Sequence, residues 1–179
     1  MPGRLAYRFV SEKLTNRTAS QKMGDFVDST TLLSLGFCEW RPFKKGIELA
    51  PENKGCYVFR SLTSFNLKIG SSDITYIGRA MSDRKGAYHN VKHSLNEYLH
   101  PGHSNQTKIR VGRKALAEGW QVSWILTDSP DQMECHLLRR FYCEHGQLPA
   151  ENRRWPPRCV LTSDVNNGHE TYHAATRPA

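Results

Sequence analysis

Apolar positions along this chain change period several times, and each change marks an element. Gly55 launches Cys56-Tyr57-Val58-Phe59-Arg60, in which Tyr57 and Phe59 share one face; the run predicts a strand. Ile74-Thr75-Tyr76-Ile77 predicts a second strand, ended by Gly78, a residue that also lets the backbone approach a neighbour closely. Residues 61–73 between them are polar and include Gly70, so they read as a long hairpin connection. Trp120, Val122, Trp124 and Leu126 alternate with less bulky residues and predict a third strand.

Helical spacing takes over elsewhere. A short helix capped near Asp28 or Ser29 carries Leu32, Leu33 and Leu35 and stops at Gly36. Trp40-Arg41-Pro42-Phe43 reads as a turn. Residues 85–99 predict a helix broken by His100-Pro101-Gly102, and residues 107–118 another, with Gly119 after its end. Ser129-Pro130-Asp131-Gln132 predicts a helix start with a capping box, and that helix runs to His145 and stops at Gly146. Met133, Leu137, Leu138 and Phe141 form its apolar face, and residues 148–152 double back as a loop. The expected fold is α+β, a small three-stranded, mainly antiparallel sheet flanked by helices. Residues 1–36 form an N-terminal arm and short helix, 37–155 the domain, and 156–179 a loosely ordered tail.

Composition narrows the class. The 179 residues suit one well-packed domain, and 38% apolar with 23% charged residues is ordinary for a globular protein. No apolar run approaches the ~20 residues of a membrane helix. The first ten residues show no continuous apolar stretch, so no signal peptide is read and a cytoplasmic location is expected. The five cysteines are irregularly spaced without a CxxC pair. Cys135, His136, Cys143 and His145 lie around one helix at spacings that do not converge on a metal, so buried reduced thiols are expected.

Charge then points to a partner. The net charge is +8, and residues 84–119 hold seven Lys/Arg (Arg84, Lys85, Lys92, Lys108, Arg110, Arg113, Lys114) against Glu97 and Glu118. Residues 120–152 hold two arginines against five acids. A basic segment beside an acidic one suits a nucleic-acid surface next to a metal-binding carboxylate; a solvated basic face gives the same numbers. Glu134 precedes Leu137 and Leu138 by three and four residues, which sets it at the border of an apolar face. One carboxylate is enough for Mg²⁺, which keeps several waters and takes phosphate oxygens as further ligands. A helix-dipole role near the start of its helix is the bland reading of the same position. Tyr57 and Tyr76 sit on neighbouring strands beside Gly55 and Gly78, where half-buried packing is the ordinary role of a lone tyrosine. A phenol with a pKa near 10 needs a nearby cation to act as a base, and Arg79, Arg84 and Lys85 are the candidates.

Taken in order, these pieces resemble the GIY-YIG nuclease family over roughly residues 37–155. Gly55-Cys56-Tyr57 resembles the GIY element with cysteine for isoleucine, and Tyr76-Ile77-Gly78 matches the YIG element. Glu134 before Leu137-Leu138 resembles the family's metal-binding glutamate, and Leu148-Pro149-Ala150-Glu151-Asn152-Arg153-Arg154 its terminal loop, whose asparagine braces the site. The resemblance implies a metal-dependent DNA endonuclease: Glu134 holds Mg²⁺ or Mn²⁺, Tyr57 assists the nucleophile, and Tyr76 supports the phosphate or the base. The size of the chain suits cutting as a homodimer. Two departures stand out. The connection between the motif strands is long and contains a decoy, Lys68-Ile69-Gly70. The family arginine, one helical turn before a tyrosine, is met by Arg84 with Tyr88; a second register takes Tyr98 as that tyrosine and leaves Ser94 at the arginine position. In that register a catalytically inactive nucleic-acid-binding module with the same fold is the alternative.

Overall fold

The computed structural model describes residues 27–82, 89–102, 105–157 and 159. Their elements run α1 (Ser29–Ser34), β1 (Arg41–Pro42), α2 (Phe43–Leu49), β2 (Gly55–Asn66), β3 (Ser71–Ala80), α3 (Val91–Leu99), α4 (Gln106–Ala117), β4 (Gln121–Leu126) and α5 (Pro130–His145). The strands form one antiparallel sheet in the order β1-β4-β2-β3. The protein is therefore α+β as expected, with four strands rather than three. The additional strand is Arg41–Pro42, which pairs with Val122 and Gln121 where a turn was read.

Alternation along β2 sorts the core into two layers. Tyr57 and Phe59 face one side with Val122, Trp124, Val91, Leu95 and Val111, under α2, α3 and α4. Cys56 and Val58 face the other with Ile77, Ile125, Leu137, Leu138 and Phe141, under α1 and α5. Phe59 and Leu137 are fully buried, and each such side chain contributes roughly 1.5–3 kcal/mol. Val27 and Leu32 belong to the second layer, so α1 packs as part of the same body. Gly55 is required where β2 meets β4, since a Cβ there would come within 2.2 Å of the Ile125 carbonyl oxygen.

Several elements depart from the sequence reading. The β2–β3 connection is a tight turn at residues 67–70, with Leu67 N–H donating to the Gly70 carbonyl and Gly70 at φ 69°. The decoy Lys68-Ile69-Gly70 is thus a hairpin tip. Strand β3 continues two residues past Gly78. Helix α2 was not anticipated. Helix α3 begins only at Val91: Asn90 caps it by accepting from His93 N–H at 2.7 Å, and His89 sits at φ 83°, outside helical space. Ser129 precedes Pro130 at the start of α5 but makes no side-chain cap bond, so the expected capping box is absent. The cysteine expectation also fails in part, since Cys135 and Cys159 form a disulfide and Cys143 is exposed. No helix among the described residues is long and apolar enough to cross a membrane.

Candidate active site

Antiparallel register brings the first two candidates together. Tyr57 pairs with Gly78 and Phe59 with Tyr76, so all four positions face the same side of the sheet. The Tyr57 and Tyr76 rings lie 6.4 Å apart, centroid to centroid. Gly78 makes that possible: a Cβ there would come within 2.7 Å of the Tyr76 ring and 2.8 Å of the Tyr57 ring. Tyr98 of α3 completes a cluster, 6.1 Å from Tyr57 and 5.9 Å from Tyr76, with its hydroxyl 3.2 Å from that of Tyr57. Helix α4 approaches α3 closely enough to seat Tyr98 because residue 112 is glycine; a Cβ there would lie 1.9 Å from the Tyr98 carbonyl oxygen.

Burial, followed by the charge of neighbouring Tyr76, pushes the Tyr57 phenol well above its usual range. Burial also raises Tyr76, and burial together with the neighbouring Tyr57 and Tyr76 raises Tyr98 strongly. Removing a phenolate from water costs more than removing a phenol. These three groups are therefore neutral across the physiological range. They are placed as hydrogen-bond donors and positioners rather than as free bases.

The carboxylate arrives from the opposite layer. Glu134 lies on α5, is only 6% exposed, and lines a cleft of about 560 Å³ together with Tyr57, Tyr76, Tyr98 and Arg79. Arg79, on β3 just after Gly78, reaches α5 and bridges two carboxylates. Its Nε lies 2.7 Å from Asp131 Oδ1 and its Nη1 bonds Glu134 Oε2. Burial raises the Glu134 pKa above the ordinary carboxyl value; Arg79 opposes that rise, and Asp131 adds to it. Burial alone would lower Arg79, but Glu134 and Asp131 outweigh it and hold the guanidinium charged.

The donor set limits what could bind. No group of three or more His, Cys, Asp or Glu among the described residues could enclose a metal ion. Glu151, the other buried carboxylate on the cleft, has both oxygens engaged, Oε2 by Arg110 Nε at 2.5 Å and Oε1 by Lys114 Nζ at 2.7 Å. A closed four-ligand zinc site does not fit this arrangement. A hard divalent cation held by Glu134 and completed by water and phosphate oxygens does.

Asn152 ties the loop after α5 to strand β3. Its Oδ1 accepts from Ile77 N–H at 2.9 Å and its Nδ2 donates to the Ile77 carbonyl at 2.8 Å. One residue earlier, Glu151 N–H donates to the Thr75 carbonyl at 2.9 Å. Ile77 lies between Tyr76 and Gly78, so the amide holds β3 just where it supplies the site.

The basic candidates divide. Arg79, Lys108, Arg110 and Lys114 are all in ion pairs; Lys108 bonds Glu97 and lies over the Tyr98 ring at 5.6 Å. Lys92 and Arg113 are exposed and do not line the cleft. Arg84, Lys85 and Tyr88 lie outside the described residues. Of the two arginine registers, Ser94 and Tyr98 both line the cleft. The pairing of Asp131 with Arg79, and of Glu151 with Arg110 and Lys114, needs the fold and is not visible in the sequence. Arg153, Arg154 and Trp155 also line the cleft; the two arginines fall within the terminal-loop motif, which gives them no role of their own, and Trp155 lies just beyond it.

No family model matches the chain, and no curated protein matches it. Among solved structures the chain is similar to the GIY-YIG N-terminal endonuclease domain of UvrC from Thermotoga maritima, a point mutant bound to its catalytic divalent cation. The identity is 22%, covering 63% of this chain and 96% of that one, with a TM-score of 0.38.

Proposed function

We propose that this cleft hydrolyses phosphodiester bonds in DNA as a divalent-metal-dependent endonuclease of the GIY-YIG type. The observation that carries the reading is convergence. Two buried tyrosines, Tyr57 and Tyr98, the half-buried Tyr76, one buried glutamate from the opposite layer, and Arg79 line a single cleft. Packing alone would explain the tyrosines, but it would not set a carboxylate of raised pKa beside them at a solvent-open edge of the sheet.

Glu134 would hold Mg²⁺ or Mn²⁺. Bound there, the cation would supply charge stabilisation to the phosphoryl oxygens and a more acidic water. The chain's own residues do the rest. The Tyr57–Tyr98 hydroxyl pair can donate to a phosphate oxygen or orient the attacking water, and Tyr76 flanks that position. Arg79 balances the charge of Glu134 before substrate arrives and stays anchored through Asp131. Asn152 fixes the strand that carries Tyr76.

A supercoiled-plasmid assay tests this. Nicking that requires Mg²⁺ or Mn²⁺, stops with chelator and is lost in Glu134→Gln is the expected result. DNA binding without nicking in any metal would leave the binding-module alternative, which Ser94 on the cleft, at the family's arginine position in the Tyr98 register, favours.

A further inference from the structure

Four Lys or Arg residues line the cleft: Arg79, Lys108, Arg153 and Arg154. Arg79 and Lys108 are each paired to carboxylates. Arg153 and Arg154 are exposed and have no ion-pair partner among the described residues. The chain around them is pinned at three points. Asn152 is bonded to both backbone groups of Ile77. Trp155 packs on Tyr142 with ring centroids 5.4 Å apart. Cys159 is bonded to Cys135, the residue next to Glu134. Two unpaired guanidiniums thus sit on a short span with fixed ends, on the wall of the cleft that holds the candidate metal ligand.

We propose that Arg153 and Arg154 form a phosphate clamp that grips the DNA backbone beside the scissile bond. The proposal rests on the nuclease reading above. An exposed arginine pair on a loose tail would lose much of its binding energy to ordering; a pair held by anchors on both sides loses far less. Guanidinium also matches phosphate geometry with two parallel bonds. The anchors explain the disulfide as well, since it ties the end of this wall to the helix carrying Glu134.

The test is the salt dependence of binding to a short labelled duplex, with the full chain in chelator so that no cleavage intervenes. Each phosphate contact contributes about 0.9 to the slope of log K against log salt for duplex DNA. Arg153→Ala/Arg154→Ala should therefore reduce the slope by about 1.8, and Arg153→Lys/Arg154→Lys should largely restore it. Lys44→Ala/Lys45→Ala removes the same charge from α2, which does not line the cleft, and should leave the slope close to wild type. An unchanged slope in the arginine double variant, or an equal fall in the α2 control, overturns the clamp. If the wild-type chain nicks plasmid while the arginine variant keeps its full slope, the clamp alone fails. If the wild type neither binds nor nicks DNA, the nuclease reading fails and the clamp with it.

Discussion

Two buried glutamates share one cleft and are treated in opposite ways. Glu134 is 6% exposed and Glu151 4%. Glu151 has two cations of its own, Arg110 and Lys114, and their hydrogen bonds hold its pKa below the ordinary value despite burial. Glu134 shares a single guanidinium with Asp131, and burial wins, so its pKa is raised. A carboxylate whose charge is already matched twice has little to offer a metal. One that is under-compensated gains most when a divalent cation arrives. The difference supports the proposal that Glu134, rather than Glu151, holds the metal.

Substitution at both positions should separate those roles. Glu134→Gln is expected to have the largest effect, a loss of nicking of at least about a hundredfold, on the scale of losing one key electrostatic group in a site. Thermal unfolding should move little, because the neutral amide resembles the form that burial already favours. Glu151→Gln should do the reverse. Its two cations lose a charged partner, and a cost of about 1–3 kcal/mol in denaturant unfolding is expected, with metal-dependent nicking by the folded fraction largely kept. A Glu151 variant that stays stable but stops cutting would break the comparison.

The pH dependence should carry the same opposition. Glu151 is depressed when folded, so its stabilisation is present above its unfolded pKa, about 4.3, and is lost as pH falls through the folded value. Glu134 is raised, so its contribution is present below that unfolded pKa and is lost as pH rises through the folded value. Acid titrations of stability should therefore flatten in Glu151→Gln, where the acid-labile term is removed. They should steepen slightly in Glu134→Gln.

Gly78→Ala should cost about 1–3 kcal/mol, since its methyl would press on both tyrosine rings, and nicking should slow because those rings must shift. Asp131→Asn should have the smallest effect. Asp131 raises the Glu134 pKa, and removing its charge also leaves Arg79 more fully to Glu134. Both changes favour ionised Glu134, so the acid limb of the nicking profile should move to lower pH. A shift to higher pH would mean that Asp131 acts on the site in some other way.

What the sequence revealed follows from which signals are local. The face shared by Tyr57 and Phe59 was readable because strand alternation is strict where a core covers it, while Tyr76 joins it only through the register of β3 on β2. Motif order singled out Glu134 and Asn152, and both line the cleft. The length of the hairpin was not. Strand β4 pairs β2 only from Gly55 to Arg60, so the ribbon beyond has no third strand and no need for an apolar face. Helix α2 was hidden because Gly46 sits within it, a poor helix former that is required here since a Cβ would strike Val122 at 2.2 Å. The start of α3 turned on Asn90 as a cap, which competed with equally plausible polar residues upstream. Glu151 meets Arg110 and Lys114 across 41 and 37 residues, and Cys135 meets Cys159 across 24. No periodicity reports such long-range meetings.

The amide of Asn152 has one more effect, on how copies of this chain could meet. Strand β3 is a sheet edge, and an open edge invites a strand from another molecule to add to it. At Ile77 both backbone groups are already taken by one side chain, and the Thr75 carbonyl is taken by Glu151 N–H. The opposite edge is a two-residue strand that includes Pro42, whose nitrogen has no proton to donate. Growth of the sheet from one molecule into the next is therefore blocked at these positions. A second copy of this chain could extend the sheet only away from Ile77, Thr75 and Pro42.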